Sequence, residues 1–191
     1  MKKTLSLTSL STLLALALSS QAMAATTNLD VTFTASLRET TCDVKIEGGA
    51  GDGKNNTIPI GTSGKTSLAD ITAGSDVAST TFKLKIVECP SSLQSLKTTI
   101  TGIKSVYSDT IINNSATGTK ADYTGVSIAR SAAPTAPFTI NATDDAKRLV
   151  WTAAEISSKE VSLIARMAET KAGLATTGDF SAVATFNFEY Q

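Results

Sequence analysis

Six apolar or small side chains recur at every second position near the C-terminal end of the chain: Phe180, Ala182, Ala184, Phe186, Phe188 and Tyr190. Between them stand Ser181, Val183, Thr185, Asn187 and Glu189. A period of two is that of a β-strand with one buried face. Phe186, Phe188 and Tyr190 crowd that face beside Gln191, where chain ends are more commonly polar and frayed. No later stretch of the sequence offers a neighbouring strand. An uncovered apolar edge is an aggregation site, so this strand needs a cover, and the need restricts the admissible folds.

The same period recurs elsewhere. Leu29, Val31, Phe33, Ala35 and Leu37 alternate with Asp30, Thr32, Thr34 and Ser36, and Val44 and Ile46 continue beyond Cys42. Phe82, Leu84 and Ile86 alternate with Lys83 and Lys85 before Cys89. Val126 and Ile128 form a short run; Val161, Leu163, Ala165 and Met167 form a longer one. Ile58 and Ile60 flank Pro59, which suits an edge strand. Clusters rich in Gly, Asn, Ser and Pro separate these runs at 47–56, 61–64, 113–119, 131–137 and 175–178. Short strands at such spacing predict an antiparallel β-sandwich. One helical turn is expected near Ser91–Leu96, after Pro90. No linker divides the chain and no internal repeat is present.

Lys2 and Lys3, an apolar run densest over Leu13–Leu18, and the small residues of Ala22-Met23-Ala24 predict a secretory signal peptide over residues 1–24. The run is too short for a membrane anchor, and no later stretch reaches the ~20 apolar residues of a span. Removing Lys2 and Lys3 from the 17 basic side chains leaves 15 against 17 acidic ones. That balance argues against nucleic acid or an anionic membrane as partner. Cys42 and Cys89, an isolated pair in an exported chain, read as one disulfide. In the chain-entropy model such a bond stabilises the fold by about 4 kcal/mol. The competing reading is two free thiols or a metal site.

Catalytic chemistry has little to stand on. The chain has no histidine, which removes Ser-His-Asp and Cys-His catalysis and histidine metal centres. Asp144-Asp145 reads as a solvated turn. The stretch GGAGDG at 48–53 is a hairpin turn sooner than a calcium repeat, because it is single and its aspartate is out of step. Trp151 reads as core sooner than as a ligand platform. No catalytic residue, metal site or cofactor is assigned.

From periodicity alone, two arrangements stay open for the stripes at the two ends. Both pair within one closed sandwich, or the N-terminal stripe leaves its own domain. A resemblance bears on the choice. The chain resembles subunits of chaperone–usher pili, close to type 1 fimbrial pilins. The likeness is carried by Gly178 followed by the penultimate Tyr190, by VTFTASLRETTC (Val31–Cys42) and by FKLKIVEC (Phe82–Cys89). Ala35 stands where related extensions commonly have glycine. The resemblance implies an immunoglobulin-like sandwich lacking its last strand, with a pilin domain at 38–191 and a donor-strand extension at 25–37. It implies that Leu29, Val31, Phe33, Ala35 and Leu37 donate. The accepting strand is then the one carrying Gly178, Phe180, Ala182, Ala184, Phe186, Phe188 and Tyr190. Implied partners are a periplasmic chaperone, which also holds the carboxylate carried by Gln191, an outer-membrane usher and other pilin subunits. The implied place is a fimbrium on the bacterial surface, contributing to adhesion. The alternatives are a minor or tip-adaptor subunit, or a secreted lectin-like adhesin domain.

Overall fold

The computed structural model describes residues 42–191. The expected leader, the extension and its five donor positions lie outside the described residues. Ten strands form: β1 (Asp43–Glu47), β2 (Ala50–Gly51), β3 (Asn56–Thr57), β4 (Ser79–Glu88), β5 (Leu96–Thr101), β6 (Ile111–Asn113), β7 (Thr124–Arg130), β8 (Leu149–Val150), β9 (Glu160–Glu169) and β10 (Thr185–Tyr190). Two short helices accompany them, α1 (Leu68–Ala73) and α2 (Ala153–Ser158).

The strands build one five-stranded sheet in the order β1-β4-β9-β7-β6 and a second in the order β10-β5-β8. All their ladders are antiparallel. One apolar core lies between them. The first sheet supplies Phe82, Leu84, Ile128, Val161 and Leu163, and the second supplies Leu96, Ile100 and Leu149. The alternation in β4 and β9 does what its period requires: Phe82, Leu84, Ile86, Val161, Leu163, Ala165 and Met167 are all buried. Trp151 is core too. Its indole N–H donates to Thr98 Oγ1 at 3.0 Å, which satisfies its one polar atom.

A disulfide joins Cys42 to Cys89, so the start of β1 is tied to the end of β4. The GGAGDG stretch carries β2 and opens the hairpin turn that leads to β3. Its Asp52 carboxylate accepts from the N–H groups of Lys54 and Asn55, a local Asx turn. Asp145 is held by Lys97 and Arg148 at 2.7 and 2.8 Å.

Two local expectations need correction. Pro90 to Leu93 make a single turn, with Leu93 N–H donating to Pro90 O at 3.1 Å. The chain is already extended in β5 by Leu96. Thr98, Thr99, Ile100 and Thr101 are β-branched and suit a strand, and the buried Leu96 draws that strand into the core. Ile58 and Ile60 do pack against the core, but β3 ends at Thr57 and the stretch around Pro59 has no ladder. Helix forms instead where capping side chains allow it. Ser67 caps α1 by accepting from Asp70 N–H, and Thr152 and Glu155 form a capping box on α2. Among the described residues no helix is long and apolar enough to cross a membrane.

Candidate functional site

The main-chain bonding of β10 decides what that strand offers. Gln191 and Ser95 exchange both main-chain hydrogen bonds, at 3.1 and 3.0 Å. In an antiparallel ladder such pairs alternate with non-bonded ones. The register Glu189↔Lys97, Asn187↔Thr99, Thr185↔Thr101 therefore turns the main-chain groups of these odd-numbered residues toward β5. Those of Phe186, Phe188 and Tyr190 point the other way. No strand lies there among the described residues, because β10 is the outer strand of its sheet.

The side chains tell the same story. From Phe180 to Tyr190 the even-numbered residues are half-buried and the odd-numbered ones exposed. All six inward residues pack against the core, yet none is closed off from solvent. Phe186 meets Phe82 of the opposite sheet edge-on, with ring centroids 5.9 Å apart. Beside this edge runs an open apolar groove of about 940 Å³. Its floor is formed by Phe82, Val126, Ile128, Ala165 and Met167, one wall by residues 57–60 and α1, and the other by residues 178–186.

The strand is anchored at both ends. Gly178 has φ +151°, and a Cβ there would come within 2.5–2.6 Å of the backbone of Thr119, Lys120 and Ala121. Only glycine fits so close an approach. Beyond it, Asp179 N–H donates to Thr119 O at 2.8 Å and Ala121 N–H to Asp179 O at 3.0 Å. Buried Asn114 holds the next turn of chain: its amide donates to Ala121 O and Asp179 O and accepts from Ser181 N–H. At the other end Tyr190 Oη donates to Cys42 O at 3.3 Å. Burial, then the nearby Asp43 carboxylate, push this phenol above its usual pKa, so it stays a donor.

The structure thus brings Phe180, Ala182, Ala184 and Phe186 onto one wall of the groove with Gly178 at its end, and Phe188 and Tyr190 continue the same half-buried face of β10 beyond the groove. The facing wall, the floor and Asn114 were not legible in the sequence. The wall residues Ile58 and Ile60 were visible only as a short apolar pair, and Asn114 lay inside a turn cluster.

A family model described as "Fimbrial protein" matches residues 29–191. The chain belongs to the fimbrial protein family. This pilin is 30% identical over 169 residues to the fimbrial-like protein YadM of Escherichia coli (strain K12), covering 86% of this chain and 88% of that protein. Its fold is shared with the P pilus rod subunit PapA, whose crystal structure aligns with a TM-score of 0.57 at 17% identity. That alignment covers 85% of this chain and 99% of PapA. The pilin is a structural subunit of a pilus, built as an incomplete immunoglobulin-like sandwich whose β10 edge has no neighbour among the described residues.

Proposed function

We propose that this pilin polymerises by strand exchange, with the β10 groove as acceptor and residues 25–37 as donor. The observation that carries the reading is the edge of β10, unpaired among the described residues, beside an open apolar groove. An extended peptide added there gains main-chain hydrogen bonds along the edge and apolar burial in the groove; chaperone–pilin complementation is a known case of such β-strand addition. Residues 1–24 direct export and are removed, and residues 38–191 are the folding unit. Leu29, Val31, Phe33, Ala35 and Leu37 fill the groove of the next subunit. Before that, a periplasmic chaperone covers the groove and an outer-membrane usher exchanges the cover. The fibre lies outside the cell and contributes to adhesion.

The test uses a subunit lacking residues 25–37, purified with its chaperone. A synthetic peptide of residues 27–38 should displace the chaperone and leave a stable one-to-one complex, while the truncated subunit alone forms no fibres. Polymerisation of the truncated subunit, or indifference to the peptide, would favour a closed sandwich.

A further inference from the structure

Beyond the expected leader, the chain offers an oxidant few targets. It has no histidine, and its two cysteines are already joined. Met167, Trp151, Tyr107, Tyr123 and Tyr190 complete its oxidisable side chains. Met167 and Trp151 are buried. Tyr190 is half-buried, and its hydroxyl donates to Cys42 O. Tyr107 and Tyr123 stand apart. They are 53 and 37% exposed, and their rings meet with centroids 5.9 Å apart and planes tilted by 44°. We propose that Tyr107 and Tyr123 form an oxidative cross-linking site, at which a haem peroxidase supplied with hydrogen peroxide joins the two phenol rings into a dityrosine.

The fold assembles the pair. Tyr107 lies in the loop from β5 to β6, and Tyr123 directly precedes β7. The Tyr107 loop is pinned. Tyr107 N–H donates to Oγ of the buried Ser105 at 3.1 Å, and Ser105 N–H donates to Ile111 O at 2.9 Å. Lys104 pairs with Asp109 across the same loop. Lys171 Nζ lies 5.3 Å from the centroid of the Tyr107 ring, a cation–π contact that helps hold the ring. Tyr123 is fixed through its backbone. Its φ is +52°, a left-handed conformation that is uncommon for a bulky side chain and suits glycine or asparagine. Thr170 N–H donates to Tyr123 O at 2.8 Å. The next residue, Thr124, is buried, with its hydroxyl donating to Ala121 O. Glycine or asparagine would hold this turn with less strain. What tyrosine adds is a ring delivered beside Tyr107.

The chemistry balances with a single peroxide. Each phenol gives an electron to the oxidised haem and its hydroxyl proton to water, leaving a neutral phenoxyl radical. The radicals pair their electrons in a new carbon–carbon bond between ring positions next to the oxygens (Cε). The hydrogens on those carbons leave as protons, the phenol oxygens take protons up, and both rings are aromatic again. Hydrogen peroxide accepts the electrons and protons and becomes water. Exposed side chains reorient in picoseconds to nanoseconds, so rings already in contact reach the coupling geometry before either radical meets another molecule.

The bond would close a covalent ring over residues 107–123. That ring contains β6, Asn114 and residues 119–121, which anchor Gly178 and Asp179. Closing a loop removes freedom from the opened chain, so oxidation would stiffen the place where the approach to β10 is held. This inference stands apart from strand exchange.

The experiment treats purified fibres with hydrogen peroxide and a haem peroxidase, then dissociates them and digests them with trypsin. Cleavage after Lys104, Lys120 and Arg130 puts Tyr107 in the peptide Ser105–Lys120 and Tyr123 in Ala121–Arg130. Mass spectrometry should find these peptides joined, lighter than their sum by the hydrogens lost, and dityrosine fluorescence should appear in the monomer band of a denaturing gel. Tyr107→Phe and Tyr123→Phe should each abolish both signals, while Tyr190→Phe keeps them. Both positions are exposed, so loss of a hydroxyl there leaves the fold intact. Hydrogen exchange at Ala121, Asp179 and Ser181 should slow several-fold in the cross-linked chain; unchanged rates would overturn the stiffening. Fluorescence confined to covalent multimers would mean coupling between copies and overturn the assignment. Signals that survive in either of the first two variants, or no dityrosine from the native chain, would overturn it as well. The same treatment of the subunit before assembly, read by peptide mass, keeps the outcome independent of polymerisation.

Discussion

Strands β9 and β10 carry the same kind of pattern and meet different fates. In β9 the inward residues Val161, Leu163, Ala165 and Met167 are 2, 0, 8 and 6% exposed, because β4 lies on one side and β7 on the other. In β10, Phe186, Phe188 and Tyr190 all stay half-exposed, because β5 is the one strand paired with them among the described residues. Alternation specifies which face is buried. It does not specify how many neighbours share the burial. The second number separates a core strand from a binding edge.

The largest effect should come from giving β10 its missing neighbour. Grafting residues 27–38 after Gln191 through a short turn should let that segment fold back antiparallel to β10. Burial of Leu29, Val31, Phe33 and Leu37 at roughly 1.5–3 kcal/mol each would add about 6–12 kcal/mol. Thermal unfolding of the graft should show a monomer far more heat-resistant than the parent; no gain would break the contrast between the two strands.

Next in size is Leu163→Ala in β9. Leu163 is fully buried within the subunit's own core, so the loss should be about 2–5 kcal/mol. Denaturant titration should give the same loss with the groove empty or filled by the peptide of residues 27–38. Phe188→Ala should behave differently, costing little in the empty subunit and more in the filled one. Equal costs for Phe188→Ala in both states would mean the edge is already sealed.

Gly178→Ala should act locally. The added methyl would meet the backbone at 119–121, and a strained or displaced backbone costs of order 1–3 kcal/mol. Hydrogen exchange should quicken at the amides of Asp179 and Ser181 and remain slow throughout β9.

The smallest effect is alkaline. Tyr190 has its phenol pKa raised in the fold, so its contribution is complete below the unfolded value near 10.0 and is lost as pH rises through the folded one. The midpoint of unfolding should fall slightly more above pH 10 in the native chain than in Tyr190→Phe. Identical alkaline curves would show that burial of the phenol beside Asp43 does not oppose its ionisation.

How much of this could be read from residues depends on where the cause resides. The stripes of β4, β9 and β10 were legible because their causes are local. Strand β5 was hidden, since threonine occupies inward position 98, where it serves Trp151; a polar residue at a core position breaks the visible pattern. The helices capped by Ser67 and Thr152 were missed, because six-residue helices leave no periodicity to reveal them. Gly178 was recognisable as part of a spacing. Its reason, the backbone of a loop more than fifty residues earlier, exists only in the folded chain. The groove was legible on the β10 side alone, because its floor and far wall are assembled from β4, β7, β9 and the stretch around Pro59.

The Cys42–Cys89 bond has a mechanical consequence. Tension on the chain upstream of Cys42 first reaches that residue, and from there two routes lead into the domain. One runs through β1, an outer strand that could peel from β4 one hydrogen bond at a time. The other is covalent and enters β4 directly at its Cys89 end, where the load is shared with β9 along a ladder from Lys85 to Ser79. The bond therefore bypasses β1, and tension from the Cys42 side passes into β4 and the ladder it shares with β9.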